Sequence, residues 1–85
     1  MDQASATVGF LKTELETGIT FANLALSATD ERKVARNTAN ARKAYDTAMK
    51  FMVGASLGAD DSALLDPRLE KLRRQLVALG ELPEG

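Results

Sequence analysis

The stretch DERKVARNTANARKAYDTAMKFMVGA, residues 30–55, decides the fold because its apolar residues recur at helical spacing. At about 100° per residue, these residues gather on one side of a helix. Asn37 falls inside this apolar side, where its amide needs a hydrogen-bond partner. The spacing is that of a heptad seam, which packs against a neighbouring helix. The apolar positions are Val34, Ala41, Tyr45, Ala48, Met49, Met52 and Ala55.

The segment before this stretch predicts another amphipathic helix, helix one, over about residues 3–27. Asp2 is a suitable N-cap for this helix. Gly18 interrupts the apolar pattern at a cost of about 1 kcal/mol relative to alanine, so we expect a closely packed neighbour at this glycine. The apolar positions of helix one are Val8, Leu11, Leu15, Ile19, Ala22 and Leu26.

A short polar connection separates helix one from helix two, which we expect over about residues 30–56. Ser27 or Thr29 is suited to cap the start of helix two. Because so few residues join two long helices, the sequence predicts an antiparallel helical hairpin.

The segment at residues 57–66 carries glycine and aspartate in place of a periodic apolar pattern, which predicts a linker. Asp66 followed by Pro67 is typical of a helix start, so helix three is expected over about residues 67–79, before a tail at 80–85. A helix this short is about 20 Å long and covers only about half of the groove along the hairpin. Its apolar stripe is Leu65, Leu69, Leu72, Leu76 and Leu79.

The predicted fold is a single all-α domain over residues 1–85, an antiparallel helical hairpin plus a short third helix. Together these elements make a three-helix bundle that dimerisation would complete. The hairpin of a second copy is the simplest cover for the open half of the groove, and two-fold dimers are the commonest oligomers. We therefore expect a homodimer.

The composition excludes several kinds of chemistry. The chain has no cysteine and no histidine, which removes thiol nucleophiles, imidazole bases and the commonest metal ligands. The remaining carboxylates show no converging pair, so we predict that the protein is not an enzyme and has no metal site and no cofactor. The sequence also lacks a signal-peptide pattern and a run of about 20 apolar residues, so we expect a cytoplasmic protein without a membrane span.

Several polar residues of the predicted hairpin are candidate binding residues. Counted outward from the short connection, Glu14 lies opposite Lys43, and Gly18 lies opposite residues 39–40. Glu14 also falls on the apolar side of helix one, so we expect a half-buried network between Glu14 and polar residues of helix two. Such a network would fix the register of the hairpin or bind a ligand or partner. The candidates are Glu14, Arg36, Asn37, Asn40 and Lys43.

The charge of the chain is unevenly distributed, although its net charge is only −1. Residues 30–50 contain six basic and three acidic side chains, whereas acidic side chains are in excess before and after them. Charge complementarity between the helices explains this pattern most simply. The basic polar face of helix two consists of Arg32, Arg36, Asn40, Lys43 and Lys50.

These features favour a non-enzymatic helical module for protein–protein interaction or regulation, which self-associates and has a groove for a helix of a protein partner. One alternative is a nucleic-acid-associated protein that uses the basic face of helix two, although the acidic neighbours argue against nucleic acid. Another alternative is a small-molecule sensor with a polar pocket formed by Glu14, Asn37 and Asn40.

Two segments of the predicted hairpin resemble a group of small, uncharacterised bacterial helical proteins. These segments are LKTELETGITFANLAL at residues 11–26 and RNTANARKAYDTAMKF at residues 36–51. The resemblance covers the hairpin alone and implies no activity.

Overall fold

The computed structural model describes residues 3–84 of the chain and the side chains of residues 6–84. This part of the chain contains three helices and no strand: α1 (Gln3–Ser27), α2 (Glu31–Gly54) and α3 (Ala59–Ala78). Helix α1 packs extensively against both α2 and α3, whereas α2 and α3 touch each other much less. The predicted all-α three-helix bundle is confirmed, with α1 at its centre.

The chain reverses direction between α1 and α2 over three residues, and Asp30 caps the start of α2. Its carboxylate accepts a hydrogen bond from the backbone N–H of Arg32, at 2.9 Å. The prediction that Ser27 or Thr29 caps α2 is wrong, because the Ser27 hydroxyl donates backward to the Asn23 carbonyl within α1. Asp2, the predicted cap of α1, lies outside the described residues.

The register between α1 and α2 is set where Gly18 lies against Ala44. A Cβ atom built on Gly18 would lie 3.1 Å from the Ala44 Cβ and 2.7 Å from the Leu72 Cδ2, which confirms the predicted close packing at this glycine. The predicted neighbours of Gly18, residues 39–40, are wrong by about one helical turn. Side chains lean toward the N-terminus of their own helix. In an antiparallel pair, the side chains of the two helices therefore lean in opposite directions. Counting residues outward from the connection neglects this lean.

Helix α3 begins at Ala59, eight residues before the predicted start. The predicted linker at residues 57–66 is therefore wrong for all but its first two residues. Asp60 and Asp61 lie in the first turn, where carboxylates interact favourably with the helix dipole. The early turns are also held by Leu65, which is completely buried.

Pro67 lies inside α3 and does not start it. A proline has no N–H to donate to the carbonyl four residues before it, and its ring crowds that carbonyl. The Arg68 guanidinium donates a hydrogen bond of 2.7 Å to the neighbouring Leu64 carbonyl and so adds a contact at this weakened turn. With 20 residues, α3 is about 30 Å long. The premise that helix three covers only half of the hairpin is therefore also wrong.

The end of α3 is fixed by Gly80, as the sequence predicts. Gly80 has a φ of 79°, its N–H donates to the Val77 carbonyl, and the Glu81 N–H donates to the Leu76 carbonyl. These bonds form a Schellman motif, which requires a residue with positive φ. The Arg42 guanidinium donates to the Glu81 carbonyl at 2.8 Å and ties this end of α3 to α2.

Half of the buried core consists of alanine, which lets α1 and α2 approach closely. Leu26, a predicted core residue, is 48% exposed, and Ala25 is buried in its place. The buried line of α1 passes through Gly18, and Leu26 lies about 80° around the helix from Gly18. The buried apolar residues are Leu11, Leu15, Ala22, Ala25, Ala41, Ala44, Ala48, Leu65, Leu72 and Leu76.

Two polar contacts join exposed side chains of α1 and α3 along the line where the two helices meet. The Arg68 guanidinium lies 3.5 Å from the Glu16 carboxylate, and the Gln75 amide donates to the Asn23 side-chain oxygen at 2.6 Å. Both contacts lie on the side of α1 that faces α3. The opposite side of α1 is therefore left beside α2 alone.

A cluster of charged side chains on α3 makes the stability of the fold depend on pH. The Glu70 carboxylate accepts hydrogen bonds from Arg73, at 2.6 and 2.9 Å, and from Arg74, at 3.0 Å. The hydrogen bonds from Arg73 and then Arg74 lower the pKa of Glu70 from its ordinary value of 4.5 to about 2. A depressed carboxylate pKa adds stability above the unfolded-state value and loses it as the pH falls toward the folded-state value.

We expect Glu70→Gln to flatten the decline in the free energy of unfolding between pH 4.5 and about 2. The effect will be small, because the Glu70 side chain is 45% exposed and solvent screens its ion pairs. Urea denaturation at a series of pH values measures this decline. Asp66→Asn removes an exposed carboxylate of the same helix that forms no ion pair within the described residues, and it should keep the wild-type decline. An equal decline in wild type and Glu70→Gln would contradict the prediction.

Candidate interaction surfaces

The five predicted binding residues do not form the expected network. With Gly18 beside Ala44, Glu14 lies level with Ala48, about 12 Å along α2 from Asn40. Glu14, Asn37 and Asn40 are half-buried, whereas Arg36 and Lys43 are exposed. In the described part of the chain, none of these five side chains makes a hydrogen bond or ion pair with another residue. The predicted network is therefore wrong.

The side of the α1–α2 hairpin that faces away from α3 carries several exposed apolar side chains. We call this side the back face. Its residues follow from helical periodicity, since Glu16 and Asn23 mark the side of α1 toward α3 and Arg42 marks that side of α2. The back face consists of Phe10, Glu14, Phe21 and Leu24 on α1, and Asn40 and Phe51 on α2.

Phe10 and Phe51 form the largest apolar feature of the back face. Their ring centroids are 5.2 Å apart and the ring planes meet at 73°, a favourable edge-to-face geometry. Phe10 is nevertheless 42% exposed and Phe51 49% exposed. Sequence reasoning missed this pair because each ring lies at the edge of the apolar side of its helix. The pair can be recognised only once the register between α1 and α2 is known, because this register brings the two rings together.

The back face carries apolar side chains at both ends and polar side chains in the middle. Phe10 and Phe51 lie at one end, and Leu24, 49% exposed, lies about 21 Å away at the other. Phe21, partly buried against the core, lies close to Leu24. Between the apolar ends lie polar side chains, chiefly those of Glu14 and Asn40.

A row of cationic side chains occupies a different side of α2, which is turned toward solvent. We call it the basic row. Its members are exposed, and none of them forms an ion pair within the described residues. Arg42 differs from them, because its hydrogen bond of 3.0 Å with Asp46 raises its pKa. The basic row consists of Arg32, Arg36, Lys43 and Lys50.

An open groove of about 450 Å³ lies between the first half of α2 and the end of α3. It contains the Thr38 hydroxyl, a buried group without a hydrogen-bond partner. Glu14, Asn37 and Asn40, the residues of the predicted ligand pocket, do not line this groove. In residues 3–84, no group of three or more carboxylates is placed to hold a metal ion. The groove is lined by Glu31, Val34, Ala35, Thr38, Ala39, Leu79 and Glu81.

The chain matches no protein-family model, no curated protein and no solved structure. The resemblance of residues 11–26 and 36–51 to small bacterial helical proteins stays a prediction. Of the helices within residues 3–84, none combines the length and the apolar character needed to cross a membrane.

Proposed function

We propose that this protein is a non-enzymatic protein–protein interaction module that self-associates as a homodimer through the back face. The observation that supports the proposal most is the Phe10–Phe51 pair, two aromatic rings in edge-to-face contact that remain about half exposed. Aromatic side chains are enriched in protein interfaces, where the covered apolar area stabilises the complex. A small helical fold with an alanine-rich core gains stability from such a cover.

The pattern of the back face suits a partner with the same surface. A two-fold axis through the middle of this face places the Phe10–Phe51 end of one copy over the Leu24 end of the other. Each apolar end is then covered by an apolar end. The two hairpins together form a four-helix arrangement, in which α3 of each copy lies on the outside.

The same axis brings polar side chains from the middle of the two back faces together. It carries Glu14 of one copy to the level of Asn40 of the partner subunit, because both residues lie a few residues from the axis, on opposite sides of it. The Asn40 amide then donates to the Glu14 carboxylate across the interface, and the pair occurs twice by symmetry. Hydrogen bonds with a charged acceptor are stronger than neutral ones and fix the register of the dimer.

The surface area of the monomer is consistent with an uncovered interface. The chain exposes 5558 Å². A folded monomer of 9.1 kDa is expected to expose about 4900 Å². The excess is about 660 Å², against the roughly 800 Å² that each partner contributes to a standard interface.

The test is the mass in solution, measured by light scattering across a wide range of protein concentration. We expect wild type to form a dimer of twice 9.1 kDa and Phe51→Glu to shift it to monomer. Each dimer would bury two unpaired carboxylates, at about 2 kcal/mol or more each, which weakens association about a thousandfold. Leu24→Glu should act in the same way, because the two ends cover each other.

The matched control is Val53→Glu, which also replaces an exposed apolar residue of α2. Val53 is 82% exposed and lies on the other side of the helix from Phe51, so this variant should remain dimeric. Circular dichroism checks that all variants keep their helix content. A wild type that stays monomeric at the highest concentration, or a Val53→Glu variant that dissociates as readily as Phe51→Glu, would refute the proposal.

A further inference from the structure

The basic row contains the arginines that lack a carboxylate partner. Arg42, Arg68, Arg73 and Arg74 each form an ion pair with an aspartate or glutamate of the chain. Arg32 and Arg36 form none within the described residues, and both belong to the basic row. Their positive charge is therefore available to an external group.

The carboxylates of α2 do not neutralise the basic row. Asp46 is held by the neighbouring Arg42, and Asp30 accepts the capping N–H at the start of the helix. Glu31 lies in the first turn, where it faces the groove between α2 and α3. The row thus presents four cationic side chains toward solvent.

Three members of the row are spaced so that a second helix could contact all of them. Arg36, Lys43 and Lys50 follow each other at intervals of seven residues, which places them about 10.5 Å apart on a straight line. A second helix lying alongside α2 has the same rise per residue. Carboxylates at seven-residue intervals on that helix would meet all three cations together.

We infer that the basic row docks an acidic helix of a partner protein, one whose glutamates or aspartates recur at seven-residue intervals. A nucleic acid fits the row less well, because phosphates of a duplex follow a curved path and the four members of the row include no aromatic side chain on which bases could stack. The net charge of −1 also lacks the overall positive balance typical of nucleic-acid-binding domains.

The row and the back face serve different partners. The row lies about 60° (Arg36) to 100° (Arg32 and Lys50) around α2 from Phe51, so a dimer formed through the back face leaves it accessible. Exposed ion pairs contribute little individually and are screened by salt, so the acidic helix should bind weakly and release at high ionic strength.

The probe is a fluorescent, alanine-rich helical peptide with glutamates at seven-residue intervals, and its binding is followed by anisotropy at low salt. The control peptide has the same composition with its glutamates spread around the helix. We expect the first peptide to bind wild type at least about fivefold more tightly than the control peptide. Equal binding of both peptides would overturn the inference, because spacing would then have no effect.

Lys43→Glu and Lys71→Glu form a matched pair of protein variants. Both replace an exposed lysine and change the net charge equally, but Lys71 lies on α3, away from the row. Lys43→Glu should weaken peptide binding about three- to tenfold, and Lys71→Glu should have little effect. Leu24→Glu, which should break the dimer from α1 and not from the helix that carries the row, should leave binding intact, and this separates the inference from the proposed dimer. Equal losses in the two lysine variants, or tighter binding of a DNA or RNA oligonucleotide than of the peptide, would overturn the inference.

Discussion

Leu72→Ala is expected to lower the free energy of unfolding by about 3 kcal/mol. Leu72 is completely buried, and its side chain covers the gap that Gly18 leaves between α1 and α3. Truncation removes buried apolar surface and leaves a cavity, which the backbone of three packed helices cannot close. A domain of this size has a total stability of only about 4–13 kcal/mol, so the loss is a large part of it.

Leu64→Ala is the control for this substitution, since it makes the same change eight residues earlier in α3. Leu64 is 36% exposed, and its truncation should cost less than about 1 kcal/mol. Urea denaturation followed by far-UV circular dichroism measures both losses. Similar losses at Leu64 and Leu72 would show that the core is not centred on the contact between Leu72 and Gly18.

The parts of the fold that the sequence predicts well are long and periodic. The bounds of α1 agree with the prediction, because one apolar stripe runs through most of its length. The buried leucines of α3 were also predicted correctly: Leu65, Leu72 and Leu76. These features depend on repeated local signals, each of which supports the others.

The start of α3 was predicted wrongly because a local signal there competes with burial in the tertiary structure. Asp66 and Pro67 together are typical of a helix start, and this signal is strong when it is considered alone. The structure favours a longer helix because Leu65 gains full burial only if the chain is already helical before the proline. Burial in the tertiary structure outweighs the cost of a proline, and local sequence does not reveal this balance.

The candidate surfaces were predictable only in part, because they depend on the register between helices. The charges of the basic row are visible in the sequence, since all of its members lie on one side of a single helix. The Phe10–Phe51 pair joins two helices, and an error of one turn in the register hides it. The same error suggested a contact between Glu14 and Lys43 that does not exist.

Gly18→Leu is the second substitution with a large expected effect. A Cβ atom at this position already lies 2.7 Å from the Leu72 side chain and 3.1 Å from the Ala44 Cβ. The Leu72 side chain is fully buried, and the Ala44 Cβ is fixed to its backbone. A leucine therefore forces α1 away from its neighbours, at a cost of about 3 kcal/mol in the free energy of unfolding.

Gly9→Leu makes the same change in the same helix and should have the opposite effect. A Cβ atom on Gly9 has nothing within 4 Å, so the variant should gain up to about 1 kcal/mol from the better helix propensity of leucine. Denaturation curves of the two variants compare the cost of crowding at Gly18 with the gain in helix propensity at Gly9. If Gly18→Leu were as stable as wild type, α1 would not be in close contact with both neighbours. The register at Gly18 also brings Phe10 to Phe51, so loss of this contact would remove the basis of the back face.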